Sequence, residues 1–467
     1  MSQATPAASA PIGVTQPIPG ALLGLALPGL ASFLLRLGYQ WVDALWVRGL
    51  GVEATAAVTT SIFVMWAIYA LNDIFAIGVT AYTSQLLGAG DRRRAGVAAF
   101  KGLRASALLG LVGTALGCFA ARQIYGLMGS DPRLLAAGSS YLAILLAGAP
   151  LAMMALTCES IMRASGDTRT PLLVDLCAVG LNAALAPLLI YGWGPLHGMG
   201  VAGAAWATVL AWAAWLAGYL ILAARGHRAL PLARRAEGVP VRLSGMVRVG
   251  VPAALIGVLF SVVYIAFARS ASRFGAASLA IIGIANRIEA IQFATSVAIG
   301  TAGATLVGQN LGARRPERAV EVIRTGLVWN TWISATITAV LMAWPDFFLT
   351  LFTRDPGVHV VGVPYLRVLA LCLVLNGWEI VTSECVLGSG HTMVMSVIFT
   401  SFSIVRIPLA FWVPNLFHNG ALGIAWVITI TCAVRALTIV GWAARGTWKR
   451  GLQRELHGVA ELPPGEC

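Results

Sequence analysis

Charge is what this sequence has least of. Asp, Glu, Lys and Arg make up 11% of its 467 residues, less than half of the roughly 25% usual in soluble domains. With a mean hydropathy of +0.80, that scarcity excludes a water-soluble fold. Acids are the rarest class, 19 against 32 Lys and Arg, for a net charge of +13. The basic residues fall in short segments between apolar runs, where they orient a membrane protein and do not form a nucleic-acid surface. The seven cysteines (118, 158, 177, 372, 385, 432, 467) contain no CxxC. They read as small core residues, which excludes a disulfide framework or a cysteine metal site. There is no GxxxxGK[ST], so ATP is not expected to drive the chain directly, and no HExxH, GxSxG or Asp-rich diphosphate motif; the chain is not expected to be an enzyme or to need a cofactor. Residues 1–20 carry no Lys or Arg, so they lack the basic start of a secretory signal and are expected to be a disordered cytoplasmic tail.

What is present is a succession of apolar runs of membrane-spanning length, without the period-two alternation of a β-barrel. Spans are expected near 22–47, 54–80, 97–120, 134–157, 170–191, 199–223, 248–268, 278–304, 322–343, 359–385, 393–413 and 421–443. Twelve spans define an all-α polytopic membrane protein. Loops after even-numbered spans and the starts of the spans that follow them, with the C-terminal tail, hold 21 Lys or Arg, and loops after odd-numbered spans hold six. Both termini are therefore expected in the cytoplasm, with the protein multi-pass in the cell (inner) membrane.

The chain also repeats itself. An offset of 224 relates Pro28 to Pro252, Gly51 to Gly275, Gln85 to Gln309, Gly88-Ala89 to Gly312-Ala313, Gly102 to Gly326, Asp131-Pro132 to Asp355-Pro356, Tyr141-Leu142 to Tyr365-Leu366, and Gly166 and Thr168 to Gly390 and Thr392. Near the end of each half the offset becomes 220, pairing Gly200, Gly203, Ala205 and Trp206 with Gly420, Gly423, Ala425 and Trp426. Six spans per half, an even number, make the repeats parallel. The expected organisation is a tail (1–20), a six-helix lobe (21–224), a basic cytoplasmic linker (225–247), a second six-helix lobe (248–445) and a cytoplasmic tail (446–467). Two such lobes rocking about a site between them is the logic of a secondary carrier. A channel would instead need a filter built from symmetric subunits.

In the segments SQLLGAGDRRRA (84–95), VGQNLGARRPERA (307–319), MRASGDT (162–168) and LNAALAPLLIYG (181–192), the chain resembles the multidrug and toxic compound extrusion (MATE) family over roughly 20–445. The resemblance implies two six-helix lobes in a V, exporting mostly cationic organic compounds in exchange for protons or sodium. In the repeated QxxGA turns, Gly and Ala allow a tight elbow, and the arginines that follow are expected to meet lipid headgroups. MRASGDT is expected to stop one helix at Gly166 and to cap the next with Asp167 or Thr168. Polysaccharide or lipid-precursor flippases of the same superfamily, and the major facilitator superfamily, also with twelve spans, stay open as alternatives.

Site candidates come from charge at membrane depth, which costs at least about 2.5–3.5 kcal/mol and marks function by default. Ser32, Arg36, Tyr39 and Asp43 share one face of the first span. Asp43 matches the first-span acid by which the family binds protons or sodium, and its repeat partner is Phe267. Asn182 matches a fifth-span Asn and Thr208 a sixth-span Thr, hard oxygen donors suited to Na+ or to a protonated Asp. The family's Asp four residues after that Asn is here Ala186, which weakens a sodium site and favours protons. Arg36, Asp73, Asp175, Glu379 and Arg406 are the further candidates for the substrate cavity or a charge relay. Arg406, the repeat partner of Asn182, either neutralises Glu379 or serves a separate cation site. Glu159 and Glu384 are expected at solvated helix ends. The expected partners are organic cations and membrane lipids, with the protein acting as a monomer.

Overall fold

The computed structural model describes residues 11–128, 132–194, 196–417, 420–452 and 456. Fifteen helices are assigned among them. The first half holds α1 (Ile12–Thr15), α2 (Ile18–Arg48), α3 (Val52–Gly88), α4 (Arg92–Met128), α5 (Pro132–Ala164), α6 (Arg169–Tyr191) and α7 (Val201–Ala224). The second half holds α8 (Leu243–Ala271), α9 (Ala276–Gly312), α10 (Pro316–Ala343), α11 (Pro345–Thr350), α12 (Pro356–Ala370), α13 (Leu373–Leu387), α14 (Thr392–Trp412) and α15 (Gly420–Ala444). Ten described helices are long and apolar enough to cross a membrane, and the pair α12–α13, bent by 50°, makes eleven. The remaining expected span corresponds to α3, a helix of 37 residues. At 1.5 Å per residue it is about 55 Å long, well beyond the roughly 30 Å hydrocarbon layer.

The repeat governs the backbone as well as the side chains. Val52 and Ala276, Arg92 and Pro316, and Pro132 and Pro356 each begin helices 224 residues apart. Left-handed positions recur at the same offset, Gly51 with Gly275, Gly90 with Arg314, and Gly166 with Gly390. Gly90 and Arg314 both close a helix through a bond from the next residue back across the last turn, Asp91 N to Leu86 O and Arg315 N to Asn310 O. The second repeat thus places a side chain where the first uses glycine. The offset falls to 220 at an antiparallel hairpin, Gly192–Trp193 paired with Leu196–His197, which the second repeat replaces with a 3-10 turn, Val413–Leu416. As expected, Gly166 ends α5 in a left-handed conformation, and of the two candidate caps Asp167 acts, its Oδ1 accepting from Thr170 N at 3.0 Å.

Two compact units emerge, one of Leu27–Gly250, the other of Ile12–Ala26 and Val251–Leu452. In the first, α5 packs against α3, α4 and α7; in the second, α9 packs against α10 and α13, and α15 against α12, α13 and α14. Gly138–Ala164 and Ala276–Gly312 are the most buried spans, at 61% and 67%. Outward faces such as Leu108, Leu111 and Val112 of α4 stay more than half exposed, as a lipid-facing surface requires.

Three boundaries differ from the sequence reading. Residues 11–20 are not a loose tail, because α1 and the start of α2 are helical and Ile18, Ala21 and Leu22 lie in a core cluster with α9 and α10. That cluster places Ile12–Ala26 in the second unit, whereas the sequence assigns 21–26 to the first lobe. The expected linker 225–247 is held by the first unit through Ala233 N to Gly96 O and Lys101 Nζ to Val241 O.

Candidate functional site

The polar face of α2 carries two described side chains, Ser32 and Arg36. Those of Tyr39 and Asp43 lie outside the described residues, so Asp43 is placed only by its position on the helix. Ser32 is buried. Arg36 Nη1 lies 2.7 Å from Glu159 Oε2, and Arg163, one turn along α5, meets the other oxygen of the same carboxylate. Glu159 is 2% exposed. The expectation of a solvated Glu159 is therefore wrong: two guanidiniums from different helices replace water around its charge. The same pair accounts for an arginine in the α2 stripe.

On α6, Asp175 is buried and its Oδ1 accepts from Trp215 Nε1 of α7 at 2.8 Å. Its Oδ2 is buried, and the buried Ser32 hydroxyl of α2 lies within reach of the carboxylate. Arg36 and Glu159 both lie near enough to act on Asp175 electrostatically. Two turns along α6, Asn182 is fully buried and its Nδ2 lies 3.5 Å from Thr208 Oγ1 of α7, which donates to Ala204 O at 3.1 Å. The two expected ion-site residues are therefore neighbours, met through the amide nitrogen of Asn182 and the hydroxyl of Thr208, with Ala186 buried one turn beyond Asn182. Asp73 of α3 is exposed, while its neighbour Asn72 is 1% exposed with neither amide atom hydrogen-bonded among the described residues.

The second unit has its own polar interior. Glu379 of α13 pairs with Arg435 of α15, Oε1 to Nε at 2.7 Å, and the Arg435 guanidinium lies 4.4 Å over the Phe399 ring of α14. Arg406 makes no direct ion pair with Glu379 among the described residues, although its charge acts on that carboxylate. Its Nε donates to Thr431 Oγ1 at 2.6 Å and its Nη2 to Cys432 Sγ at 2.8 Å. Arg435, one turn along α15 from Thr431, reaches the carboxylate first. The sequence reading missed Arg435, although the rule that selected Arg406, a guanidinium inside an apolar span, selects it equally. It also missed the amide cluster of Gln292, Asn330 and Asn376. There Gln292 Nε2 donates to Leu373 O at 3.2 Å, a carbonyl beside the α12–α13 break, and Ser296 Oγ donates to Asn330 Oδ1 at 2.6 Å. Polar residues without charge give no comparable signal against a background of Ser, Thr and Asn in spans.

No group of three or more His, Cys, Asp or Glu able to hold a metal occurs among the described residues. Doubled six-helix units, with ion pairs and amides buried between their helices, define a polytopic membrane protein of the carrier class. The family model MatE matches twice, over residues 28–188 and 252–412, copies again 224 residues apart. The chain belongs to this family, the multidrug and toxic compound extrusion transporters, whose members are transporters and not enzymes. Among its relatives are a protein named FAD transporter from Shewanella oneidensis, 26% identical over 90% of this chain and 92% of the relative, and a probable multidrug resistance protein NorM from Thermotoga maritima, 26% identical over 94% and 95%. Among solved structures, a MATE in its bent conformation aligns with a TM-score of 0.87 at 24% identity, covering 94% of this chain and 98% of that one. An outward-facing multidrug resistance MATE transporter aligns with a TM-score of 0.86 at 23% identity, covering 95% and 98%.

Proposed function

We propose that the protein is a secondary active exporter of amphipathic, mainly cationic organic compounds, driven by exchange for H+ or Na+. The observation that carries this reading is the doubled family match falling on a doubled six-helix framework. In this reading Asp43, Asn182 and Thr208 form the coupling-ion site of the first lobe, supported by the buried approach of Asn182 to Thr208. Ion and substrate compete through a shared conformation, so binding of one favours release of the other. Arg36 is committed to Glu159 and does not compete with the ion, whereas the exposed Asp73 is free to meet a cationic substrate. The loop charges favour cytoplasmic termini in the cell membrane, and the protein acts as a monomer.

A second reading is an anionic substrate such as a flavin dinucleotide. It rests on Arg406, a buried guanidinium with no carboxylate within ion-pair distance among the described residues, and on the relative named a FAD transporter. Purified protein in liposomes, given an imposed pH or sodium gradient, is tested with a fluorescent organic cation and with FAD. Gradient-driven movement of the cation supports the first reading, and of FAD alone the second. Movement of neither, by protein that is folded and correctly inserted, refutes both.

A further inference from the structure

The arginine-rich turns that follow α3 and α9 are expected to meet lipid headgroups, yet several of their side chains bind main chain instead. In the second repeat, Gln309 Oε1 accepts from Gly13 N at 3.0 Å, Asn310 Nδ2 donates to Gly13 O at 3.0 Å, and Arg318 Nη2 donates to Gly13 O at 3.2 Å and to Gln16 O at 2.7 Å. Arg315 Nη1 adds a bond to Val14 O at 3.2 Å. Gln309 and Asn310 are both 0% exposed. Asn310 Oδ1 also accepts from Arg318 Nε at 3.2 Å, which holds the two side chains in register. Every one of these bonds to the segment reaches a backbone atom, while the Ile12 side chain packs against the core cluster of α9 and α10. Position 13 leaves no room for a side chain. A Cβ there would lie 2.7 Å from Gln309 Oε1 and 2.9 Å from Leu306 Cδ2, closer than real contacts allow.

The first repeat does the same. Arg94, the counterpart of Arg318 at the 224 offset, donates through Nη2 to Leu456 O, and both residues are buried. Arg92 donates to Arg228 O and Lys101 to Val241 O, in the stretch leading into α8. Arg92, like Arg315 and Arg318, therefore holds main chain that precedes the first long helix of the other repeat, while Arg94 holds main chain that follows the last. In the second repeat the buried Gln309 and Asn310 amides, joined by the partly exposed Arg318, form a binding surface for that main chain, since buried amides left unfilled would cost desolvation.

We infer that the α9–α10 turn, Gln309–Arg318, is a binding site for a short glycine-containing main-chain segment, and that Ile12–Gln16 is its resident, releasable ligand. The segment precedes the first repeat in sequence but belongs to the second unit, so this site fixes the start of α2 without a covalent link. Its release would free the N-terminal end of α2 and leave a vacant site open to the same peptide added in trans.

Full-length Gly13→Val protein in detergent micelles tests this. Hydrogen exchange of amides 12–16 is expected to quicken about tenfold, as for loss of a charged hydrogen bond, while α9 and α10 keep their rates. A labelled peptide of residues 9–17, SAPIGVTQP, is then expected to bind Gly13→Val protein saturably. The same peptide carrying Gly13→Val should not bind, and wild-type protein, with its site filled, should take neither. Adding Arg318→Gln should weaken peptide binding about tenfold. Unchanged exchange at 12–16, absence of saturable binding, or equal binding of the two peptides would each overturn the inference. Should Gly13→Val not yield monodisperse protein, Arg318→Gln alone is expected to loosen 12–16, and unaltered exchange there overturns the inference equally.

Discussion

Removing Arg435 tests how charge is tolerated inside the second unit. Arg435 and Glu379 have side chains 5% and 6% exposed, 2.7 Å apart, and Glu379 Oε2 has no hydrogen-bond partner among the described residues. Arg435→Met keeps the stem's volume but strands a carboxylate in a low-dielectric interior. Breaking a buried pair in this way costs about 3–5 kcal/mol, while replacing both partners with uncharged groups is often neutral. The contact over Phe399 adds about 1–2 kcal/mol to the loss, which the double variant shares. Arg435→Met and Glu379→Gln are therefore expected to be strongly destabilising alone, and the double variant no worse than the milder single. Denaturant unfolding in mixed micelles, read as a double-mutant cycle, is expected to give a coupling of about 3 kcal/mol. Additivity within about 0.5 kcal/mol would refute the pair as a structural unit.

Three further outcomes follow from local geometry. Gly203→Ala would set a Cβ 2.2 Å from Leu189 O, a backbone atom that cannot step aside; a loss of about 1–3 kcal/mol is expected in thermal unfolding, as for overpacking. Arg314 holds φ 58 where Gly90 holds φ 80, so Arg314→Gly is expected to be neutral to stabilising, while Gly90→Ala loses about 1 kcal/mol. Burial holds the His391 imidazole, in the turn before α14, below its usual range. A base with a lowered folded pKa binds fewer protons when folded, so stability is expected to fall as pH drops below about 6.5. His391→Asn should flatten that slope in a pH series of melting temperatures.

The fold was legible because the repeat and the apolar runs are written in residue types. Twelve expected spans and the offset of 224 map onto helix starts, and even the change to 220 has a cause in the hairpin at Gly192–His197. What sequence could not supply was pairing. Arg36 was visible as a charge out of place, but Glu159 lies more than a hundred positions away on another helix, and nothing local marks it as buried. Arg406 and Arg435 are both guanidiniums in apolar spans, and only packing decides which of them reaches Glu379. Asn182 and Thr208 were found as a pair because the family resemblance aligned them, while the neutral cluster around Gln292 had no such guide. The turn arginines were assigned to lipid because positive charge between spans ordinarily belongs there. Their main-chain partners at Gly13, Gln16 and Leu456 come from distant ends of the chain.

Ion-coupled transport through the first lobe is tested most directly by comparing Asp43→Asn with wild type in proteoliposomes of matched orientation. Wild-type protein is expected to move a fluorescent cation against its gradient when a pH or sodium gradient is imposed, and to lose that movement when the gradient is collapsed. Asp43→Asn, monodisperse and normally inserted, is expected to bind the cation but to show no response to either gradient. Undiminished gradient-driven transport by Asp43→Asn would contradict the account.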